Sequence, residues 1–290
     1  MPTLRSANVK KKLLDFNELV MMGHSIFSMP FIFIAMIVAA NGWFGWKLLF
    51  LGALAAFTAR NFAMAFNRYI DSEIDKQNER TQNRPSVDGR IAPKEVQLFM
   101  WVNALGFIIT TLFVNMTAFI LAFPVLAILA AYSYFKRFSS LAHLILGFSL
   151  AMAPMAGAIA VLEVVPFWSV ALAIGVMFWV AGFDILYSLQ DMDFDKKLGL
   201  FSIPSRLGEK LALLIAEIFH IVTIAFWMIF IVQAHLGFLA YVAVFLSMAL
   251  LYYEHHLVRN DFSKIDRAFF TVNGYLGVLF LFLIIVDQVL

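Results

Sequence analysis

The chain has 290 residues, of which 62% are apolar, 16% aromatic and only 14% charged, with a mean hydropathy of +0.86. Soluble domains carry about 25% charged residues, so this composition excludes an ordinary soluble domain and predicts an integral membrane protein. The chain has no cysteine, which excludes disulfides, thiolate nucleophiles and zinc–thiolate sites. The net charge of +2 does not by itself indicate a partner, and we expect the lipid bilayer and no nucleic acid.

In chain order, apolar segments recur at about the length of 20 residues that a helix needs to cross a bilayer. Gly, Pro, Asn or charged residues separate them. We therefore predict an all-α integral membrane protein, a bundle of nine transmembrane helices in a single domain that spans residues 1–290. The predicted spans lie near 21–40, 48–66, 97–114, 118–135, 141–162, 168–190, 211–233, 236–253 and 268–287.

The basic residues are distributed asymmetrically between the two sides of this bundle. Of 21 Lys and Arg, 19 fall in the N-terminal segment or in the loops that follow every second span. Lys47 lies in an opposite loop, and Arg60 lies within the second span. Since basic residues concentrate on the cytoplasmic side, we expect a cytoplasmic N-terminus and an external C-terminus. The two longest polar loops, 67–96 and 191–210, are then both cytoplasmic.

The first long loop carries twelve of the forty charged residues in the chain. Asn67, Asp71 and Asp75 are spaced i, i+4 and i+8 there, which places them on one face of a helix. Arg60 precedes Asn67 by seven residues and therefore shares this stripe, about 10 Å deeper in the membrane. A charged residue inside a span costs about 2.5–3.5 kcal/mol on insertion scales, so we expect Arg60 to line a cavity.

The second long loop repeats this pattern. Asp184, Asp191 and Asp195 are spaced i, i+7 and i+11, which again places three carboxylates on one helical face. Magnesium prefers oxygen ligands and is typically held by one or two carboxylates together with substrate phosphates. Two facing stripes therefore predict a magnesium and diphosphate site above an apolar cavity that accepts a long tail. Basic residues near the stripes could balance the phosphate charge, among them Arg80, Arg84, Lys136 and Lys196.

Other interpretations of these residues remain open at this point. Acidic residues in a loop are often simply solvated, and Arg60 could form a structural ion pair. Tyr132 and Lys136 close the fourth predicted span, where interfacial tyrosines and lysines are common without a function. For His24, at the start of the first span, packing is the preferred interpretation. The remaining histidines have no ligand spacing and are assigned no metal: His143, His220, His235, His255 and His256.

The stretch NRYIDSEIDKQNERTQNRP, followed by SVDGRIAPKEV, resembles the first signature of the UbiA family of intramembrane aromatic prenyltransferases. The acids Asp184, Asp191 and Asp195, with Tyr187 among them, resemble its second signature. A Y-x-x-x-K motif matches Tyr132 and Lys136, and Arg60 matches an arginine seven residues before the asparagine. The resemblance extends over nearly the whole chain. One departure is Arg68, since many members have Asp directly after the asparagine.

The resemblance implies a transfer of a prenyl group from a polyprenyl diphosphate to an aromatic acid with Mg²⁺ as cofactor. Asp71, Asp184 and Asp191 would be catalytic, with Asp184 near the aromatic acceptor or assisting its deprotonation, and Arg60 would hold the head group of the acceptor or donor. Magnesium would be bound by Asn67, Asp71, Asp75, Asp191 and Asp195. The diphosphate would contact Asn67, Arg80, Arg84, Tyr132, Lys136, Tyr187 and Lys196.

The acceptor expected from family prevalence is 4-hydroxybenzoate, in respiratory quinone biosynthesis, and the alternative is a dihydroxynaphthoate of menaquinone biosynthesis. We expect a monomer in the bacterial inner membrane, with its site toward the cytoplasm. A secondary transporter is the alternative from another class, but its acidic residues would more often lie near mid-membrane. The D-G-x-x-A-R pattern of CDP-alcohol phosphotransferases is absent from the chain. We expect the segment from Arg80 to Lys94 to cover the diphosphate entrance.

Overall fold

The computed structural model describes residues 2–21, 23 and 25–290, with the backbone alone for residues 2–9 and 25–28. His24 lies outside the described residues. Throughout the described part of the chain the secondary structure is helical. The α-helices are α1 Pro2–Leu19, α2 Ser25–Ala40, α3 Trp46–Ile70, α4 Ser72–Asp75, α5 Pro93–Val114, α6 Met116–Phe135, α7 Ala142–Leu162, α8 Phe167–Ser188, α9 Met192–Leu198, α10 Ile203–Leu207, α11 Glu209–Gln233, α12 Phe238–Asn260, α13 Ile265–Arg267 and α14 Asn273–Asp287.

Within the described residues, eight helical segments are long and apolar enough to cross a membrane. They correspond to the second through ninth predicted spans. The first predicted span, 21–40, corresponds to α2, which has only 16 residues and contains Pro30. At 1.5 Å per residue α2 is about 24 Å long, short of a hydrocarbon core of about 30 Å. The integral membrane class is therefore supported, whereas nine full spans are not confirmed.

The two polar stripes differ in how their helices continue. The α-helix α3 ends at Ile70, yet the amides of Asp71 and Asp75 still donate to the carbonyls of Asn67 and Asp71, at 2.9 and 2.8 Å. The first stripe therefore keeps its helical register into α4. The expectation that one regular helix carries the second stripe is wrong, because α8 ends at Ser188 and a 3₁₀ turn, Leu189–Asp191, leads into α9. The tighter turn changes the direction of Asp191 relative to Asp184.

Helix α8 lies at the centre of the bundle and packs against α7 and α11. Small residues make these contacts close. A Cβ atom added at Gly147 of α7 would lie 2.2 Å from the carbonyl oxygen of Met177, and one added at Gly175 would lie 2.3 Å from the Trp227 ring. Small residues allow membrane helices to approach closely in this way. The first turns of α7 are thereby held against the last turns of α8.

A buried polar network joins α8, α12 and α14 away from the two stripes. The Trp179 indole donates to the Asn273 side chain at 2.7 Å, and Asn273 donates to Glu254 at 2.7 Å. Asn273 directly follows a π-helical segment, Ala268–Val272. Such segments insert an extra residue into a helix. This one brings the Phe269 ring to 4.3 Å from the Tyr187 ring, between their centroids.

Candidate active site

An apolar cavity of about 510 Å³ lies between α3, α5, α6, α7 and α8. Most of its lining consists of small or aliphatic side chains, as expected for a pocket that accepts hydrocarbon. Its charged lining residues are Arg60 and Asp184, and Tyr132 also lines it. Asp184 and Tyr132 lie in the last turns of α8 and α6, next to the polar loops, whereas Arg60 lies near the middle of α3. The cavity is therefore hydrocarbon-like along its length and polar near the loops.

Within the described residues, Arg60 has one side-chain donor without a partner. Its Nη2 donates to the carbonyl of Met21 at 2.8 Å, whereas its buried Nη1 has no hydrogen-bond partner in that part of the chain. Among the described side chains no carboxylate forms an ion pair with Arg60, so the interpretation as a structural ion pair has no support there. An unpaired buried donor of a charged group is costly. Since Arg60 also lines the apolar cavity, the wall of the cavity contains a cationic group.

The carboxylate of Asp71 is almost completely buried and fully paired. Its Oδ2 lies 2.6 Å from Lys136 Nζ, and its Oδ1 lies 3.0 Å from an Arg137 nitrogen. The Asn67 amide also donates to Asp71 Oδ2 at 2.8 Å. Lys136 therefore lies beside the first stripe, and its predicted contact with the diphosphate stays a prediction. Tyr132 donates from its hydroxyl to the carbonyl of Ala63, at a longer 3.5 Å.

Asp75 faces the loop that follows it. Arg84 Nη1 lies 2.7 Å from Asp75 Oδ2, and the Thr81 hydroxyl donates to the Asp75 carbonyl at 2.8 Å. These contacts fold residues 76–85 back over the end of α3. A smaller cavity of about 230 Å³ next to this loop is lined by Arg68, Arg80 and Arg84. Glu18 also lines this cavity, so three arginines and one glutamate meet beside the first stripe.

Arg80 connects the two loops. It forms an ion pair with Asp191, donates from Nε to Asp191 Oδ1 at 3.1 Å, and donates from Nη1 to the Tyr187 hydroxyl at 2.9 Å. Partial burial alone would lower the pKa of Arg80, but the hydrogen bond to Asp191 and nearby negative charges raise it above its usual value. Asn78 also donates to Asp191 Oδ1 at 2.9 Å.

The outer end of the second stripe is more open. Asp195 is half-buried, whereas Lys196 is exposed. Among the described residues, Lys196 has an ion pair with Asp193 at 3.9 Å. The structure therefore brings Asp191, Tyr187 and Arg80 together and leaves Lys196 at the rim.

The acidic residues fit a magnesium site by their chemistry. Carboxylate and amide oxygens are the hard ligands that this ion prefers, and Asp71, Asp75 and Asp191 each already face a cationic side chain. Among the described residues, no three His, Asp or Glu side chains lie close enough together to hold a metal ion by themselves. The predicted set of five ligands therefore stays a prediction, and phosphate oxygens would have to complete the coordination.

Two contacts of the site were missed by sequence reasoning. His143, in the first turn of α7, lies with its Nδ1 2.7 Å from Asp184 Oδ2. Asn78 binds Asp191 as described above. The histidine has no ligand spacing, and the one available signal was a polar residue at the start of an apolar span.

The fold and the site together define an integral membrane protein with a lipid-like cavity that ends at two loops rich in paired acidic and basic residues. The profile described as "UbiA prenyltransferase family" matches residues 28–284. The chain belongs to this family and is an enzyme, a prenyltransferase that resembles the 4-hydroxybenzoate polyprenyltransferases.

Curated relatives include a "4-hydroxybenzoate octaprenyltransferase" of Albidiferax ferrireducens, 31% identical over 244 residues, which cover 84% of this chain and 82% of the relative. A protein of Vibrio campbellii with the same name is 28% identical, over 84% of this chain and 86% of its own.

Solved structures show the same fold. The apo structure of a UbiA homolog from Aeropyrum pernix K1 has a TM-score of 0.83 and 31% identity, covering 91% of this chain and 98% of its own. A UbiA homolog from Archaeoglobus fulgidus, described as bound to DMAPP and Mg²⁺, has a TM-score of 0.73 at 18% identity, covering 94% and 99%. At that identity the likeness concerns the fold alone.

Proposed function

We propose that this prenyltransferase transfers a polyprenyl group from a polyprenyl diphosphate to an aromatic acid in a magnesium-dependent reaction. The observation that carries the proposal is the apolar cavity lined by Arg60 and Asp184, next to two loops of acidic and basic residues. One Arg60 donor has no partner among the described residues. A long hydrocarbon tail, a carboxylate and a diphosphate each find a matching environment there.

The donor diphosphate would be bound where the two loops meet. Asn67, Asp71, Asp75, Asp191 and Asp195 would hold magnesium, which when bound acts as a Lewis acid that stabilises the departing pyrophosphate. The basic side chains that now pair with these acids can turn toward phosphate oxygens, because phosphate offers them an alternative anionic partner. The predicted phosphate contacts are Arg80, Arg84, Tyr132, Lys136, Tyr187 and Lys196.

The acceptor would be bound at the upper end of the cavity. The free Nη1 of Arg60 would donate to the carboxylate of the aromatic acid, a charge-assisted hydrogen bond. Apolar walls would keep water from the allylic cation until the electron-rich ring attacks it. The C–O bond to the diphosphate breaks, a C–C bond to the ring forms, and the ring loses one proton.

We further propose 4-hydroxybenzoate as the acceptor, in respiratory quinone biosynthesis, because several relatives bear that name. The basic residues of the chain favour a site that faces the cytoplasm, and the bacterial relatives favour the inner membrane. A monomer contains every residue that the proposal uses.

The test is a competition assay with purified protein in detergent or vesicles. 4-Hydroxybenzoate and dihydroxynaphthoates are offered together with diphosphates of several chain lengths, and products are identified by mass spectrometry while pyrophosphate is measured. The proposal predicts pyrophosphate release and a prenylated 4-hydroxybenzoate. A prenylated naphthoate would contradict the acceptor assignment but keep the reaction class. Absence of pyrophosphate release with every acceptor would contradict the function and favour a transporter.

A further inference from the structure

We propose that His143 is a positioning residue that holds Asp184 as the carboxylate that accepts the proton lost by the aromatic ring. The inference rests on the proposed function and on the role in deprotonation that the family resemblance implies for Asp184, and it adds the residue that orients this carboxylate. It is carried by two hydrogen bonds of one buried imidazole.

The two ring nitrogens of His143 have different partners. The backbone N–H of Ile203 donates to Nε2 at 3.1 Å, so Nε2 acts as an acceptor and has no proton. The proton of the neutral ring is then on Nδ1. Nδ1 lies 2.7 Å from Asp184 Oδ2, and it therefore donates to that oxygen. The backbone of the second loop thus assigns the tautomer of the histidine, and the histidine requires an unprotonated oxygen on Asp184.

The burial of the two side chains shows which member of the pair faces the cavity. The His143 side chain is 5% exposed, whereas that of Asp184 is 24% exposed and lines the apolar cavity. The histidine lies behind the carboxylate, and Asp184 is the member of the pair that meets a ligand in the cavity. Because Oδ2 is engaged by His143, Oδ1 is the oxygen available to the substrate.

The reaction releases one proton from the ring, and Asp184 Oδ1 is placed to accept it. When the prenyl carbon bonds to the ring, the same ring carbon carries both the new substituent and a hydrogen. The C–H bond breaks, its electron pair restores the aromatic ring, and the proton passes to Asp184 Oδ1. His143 keeps its own proton throughout and stabilises the carboxylate by its hydrogen bond until transfer.

The position of the histidine depends on the second loop and on close helix packing. Phe201, two residues before Ile203, donates from its amide to the Lys136 carbonyl at 2.7 Å, which docks this part of the loop onto the end of α6. Gly147, one turn after His143, keeps α7 against α8. The loop that carries Asp191 and Asp195 and the base Asp184 are thereby connected through one imidazole.

The experiment is a double-mutant cycle on kcat and on the KM values of both substrates. His143→Leu removes both hydrogen bonds at similar volume, whereas the amide of His143→Gln supplies one donor and one acceptor. Each is measured in the wild-type background and with Asp184→Asn. His220→Leu is the matched control, since His220 is equally buried but pairs with His255 outside the cavity. Thermal unfolding is recorded for every variant.

A general base typically contributes about 10²- to 10⁴-fold, so we expect His143→Leu to lower kcat by about 10- to 100-fold, with the donor KM nearly unchanged. His143→Gln should restore most of this loss. In the Asp184→Asn background, His143→Leu should lower the rate by less than about twofold, because residues that act as one unit are not additive.

An equal loss from His143→Leu in both backgrounds would overturn the inference, and so would a loss of the same size in His220→Leu. If His143→Leu does not fold, the same comparison is made with the smaller, polar His143→Ser, whose equal loss in both backgrounds overturns the inference. Undiminished activity of Asp184→Asn also contradicts the role. Failure of the proposed function is recognised separately, because wild-type protein would then release no pyrophosphate with any aromatic acid.

Discussion

Asp71 and Arg60 show how single residues prepare this site. Asp71 is 1% exposed, and a buried charge is tolerated only when it is paired and hydrogen-bonded. Lys136, Arg137 and Asn67 supply those partners. Arg60 is the opposite case, since one of its buried donors has no partner among the residues that the structure describes. The Asp71 carboxylate therefore has all its charge paired in this structure, whereas Arg60 keeps a donor that a substrate could use.

The unpaired donor leads to a prediction for Arg60→Met. A hydrogen bond to a charged group is worth about 1.5–3 kcal/mol, so the KM for the aromatic acid should rise by about 10- to 100-fold. The KM for the polyprenyl diphosphate should change little. For Arg60→Lys, the KM for the aromatic acid should lie between the values of wild-type protein and Arg60→Met. Steady-state kinetics with each substrate varied in turn is the measurement. Arg259→Met, which removes a surface ion pair with Glu217, is the control, and a selective rise in the donor KM would contradict the role.

The residues of the candidate site were predictable from the sequence to different degrees. Asn67, Asp71 and Asp75 repeat at helical spacing, so their common face follows from periodicity alone. His143 could not be found in that way, because its partners Asp184 and Ile203 are 41 and 60 residues away in the chain. Contacts of that kind depend on the packing of α7 against α8, which the sequence pattern does not specify.

At the scale of helices, Gly147 sets the distance between α7 and α8. We predict that Gly147→Ala lowers the melting temperature, because the added methyl group would approach the Met177 carbonyl oxygen to 2.2 Å and overpacking costs about 1–3 kcal/mol. The shift of α7 should also lower kcat through His143. The matched control is Gly106→Ala, whose methyl group would lie 3.3 Å from a Thr58 side-chain carbon. Equal melting temperatures for the two variants would contradict the close-packing argument.

The loop between α4 and α5 is held to the second loop by Arg80. Removing this side chain in Arg80→Met breaks its contacts with Asp191 and Tyr187, so hydrogen exchange should increase in residues 77–92 and in residues 189–198. Local opening is favoured where few contacts hold a segment. Lys94→Met, an exposed residue at the start of α5, is the control. Unchanged exchange in both segments would show that Arg80 does not connect them.

The helices themselves were largely predictable because long apolar segments bounded by polar residues are unambiguous in this chain. The second predicted span, 48–66, corresponds to α3, Trp46–Ile70. The 3₁₀ turn at Leu189–Asp191 was not predictable, since the acidic spacing is equally compatible with an unbroken helix. The first predicted span, 21–40, is longer than α2 because the apolar window begins at Met21, whereas the helix begins at Ser25.

For the whole molecule, the distribution of basic residues predicts an orientation that can be measured directly. The chain has no cysteine, so single cysteines can be labelled without background. Lys47 and Asp193 are both exposed. Lys47 lies at the start of α3, a helix of 25 residues that is about 37 Å long. Asp193 follows Asp191, which contacts Arg80 in the loop after the other end of α3, so the two residues lie at opposite ends of the bundle.

We predict that Lys47→Cys reacts with a membrane-impermeant maleimide from outside intact cells, whereas Asp193→Cys reacts only in inverted vesicles. Detergent-solubilised samples of both variants serve as controls for reactivity. The reverse pattern would contradict a cytoplasmic site.

The central claim is that two loops, which carry Asp71 and Asp191, act together with magnesium on a diphosphate. The most direct measurement is pyrophosphate release by wild-type protein, Asp71→Ala and Asp191→Ala, each with magnesium and with excess chelator, alongside thermal unfolding. We predict release only by wild-type protein and only with magnesium, while both variants remain folded. Undiminished release in chelator, or in either folded variant, would contradict the account.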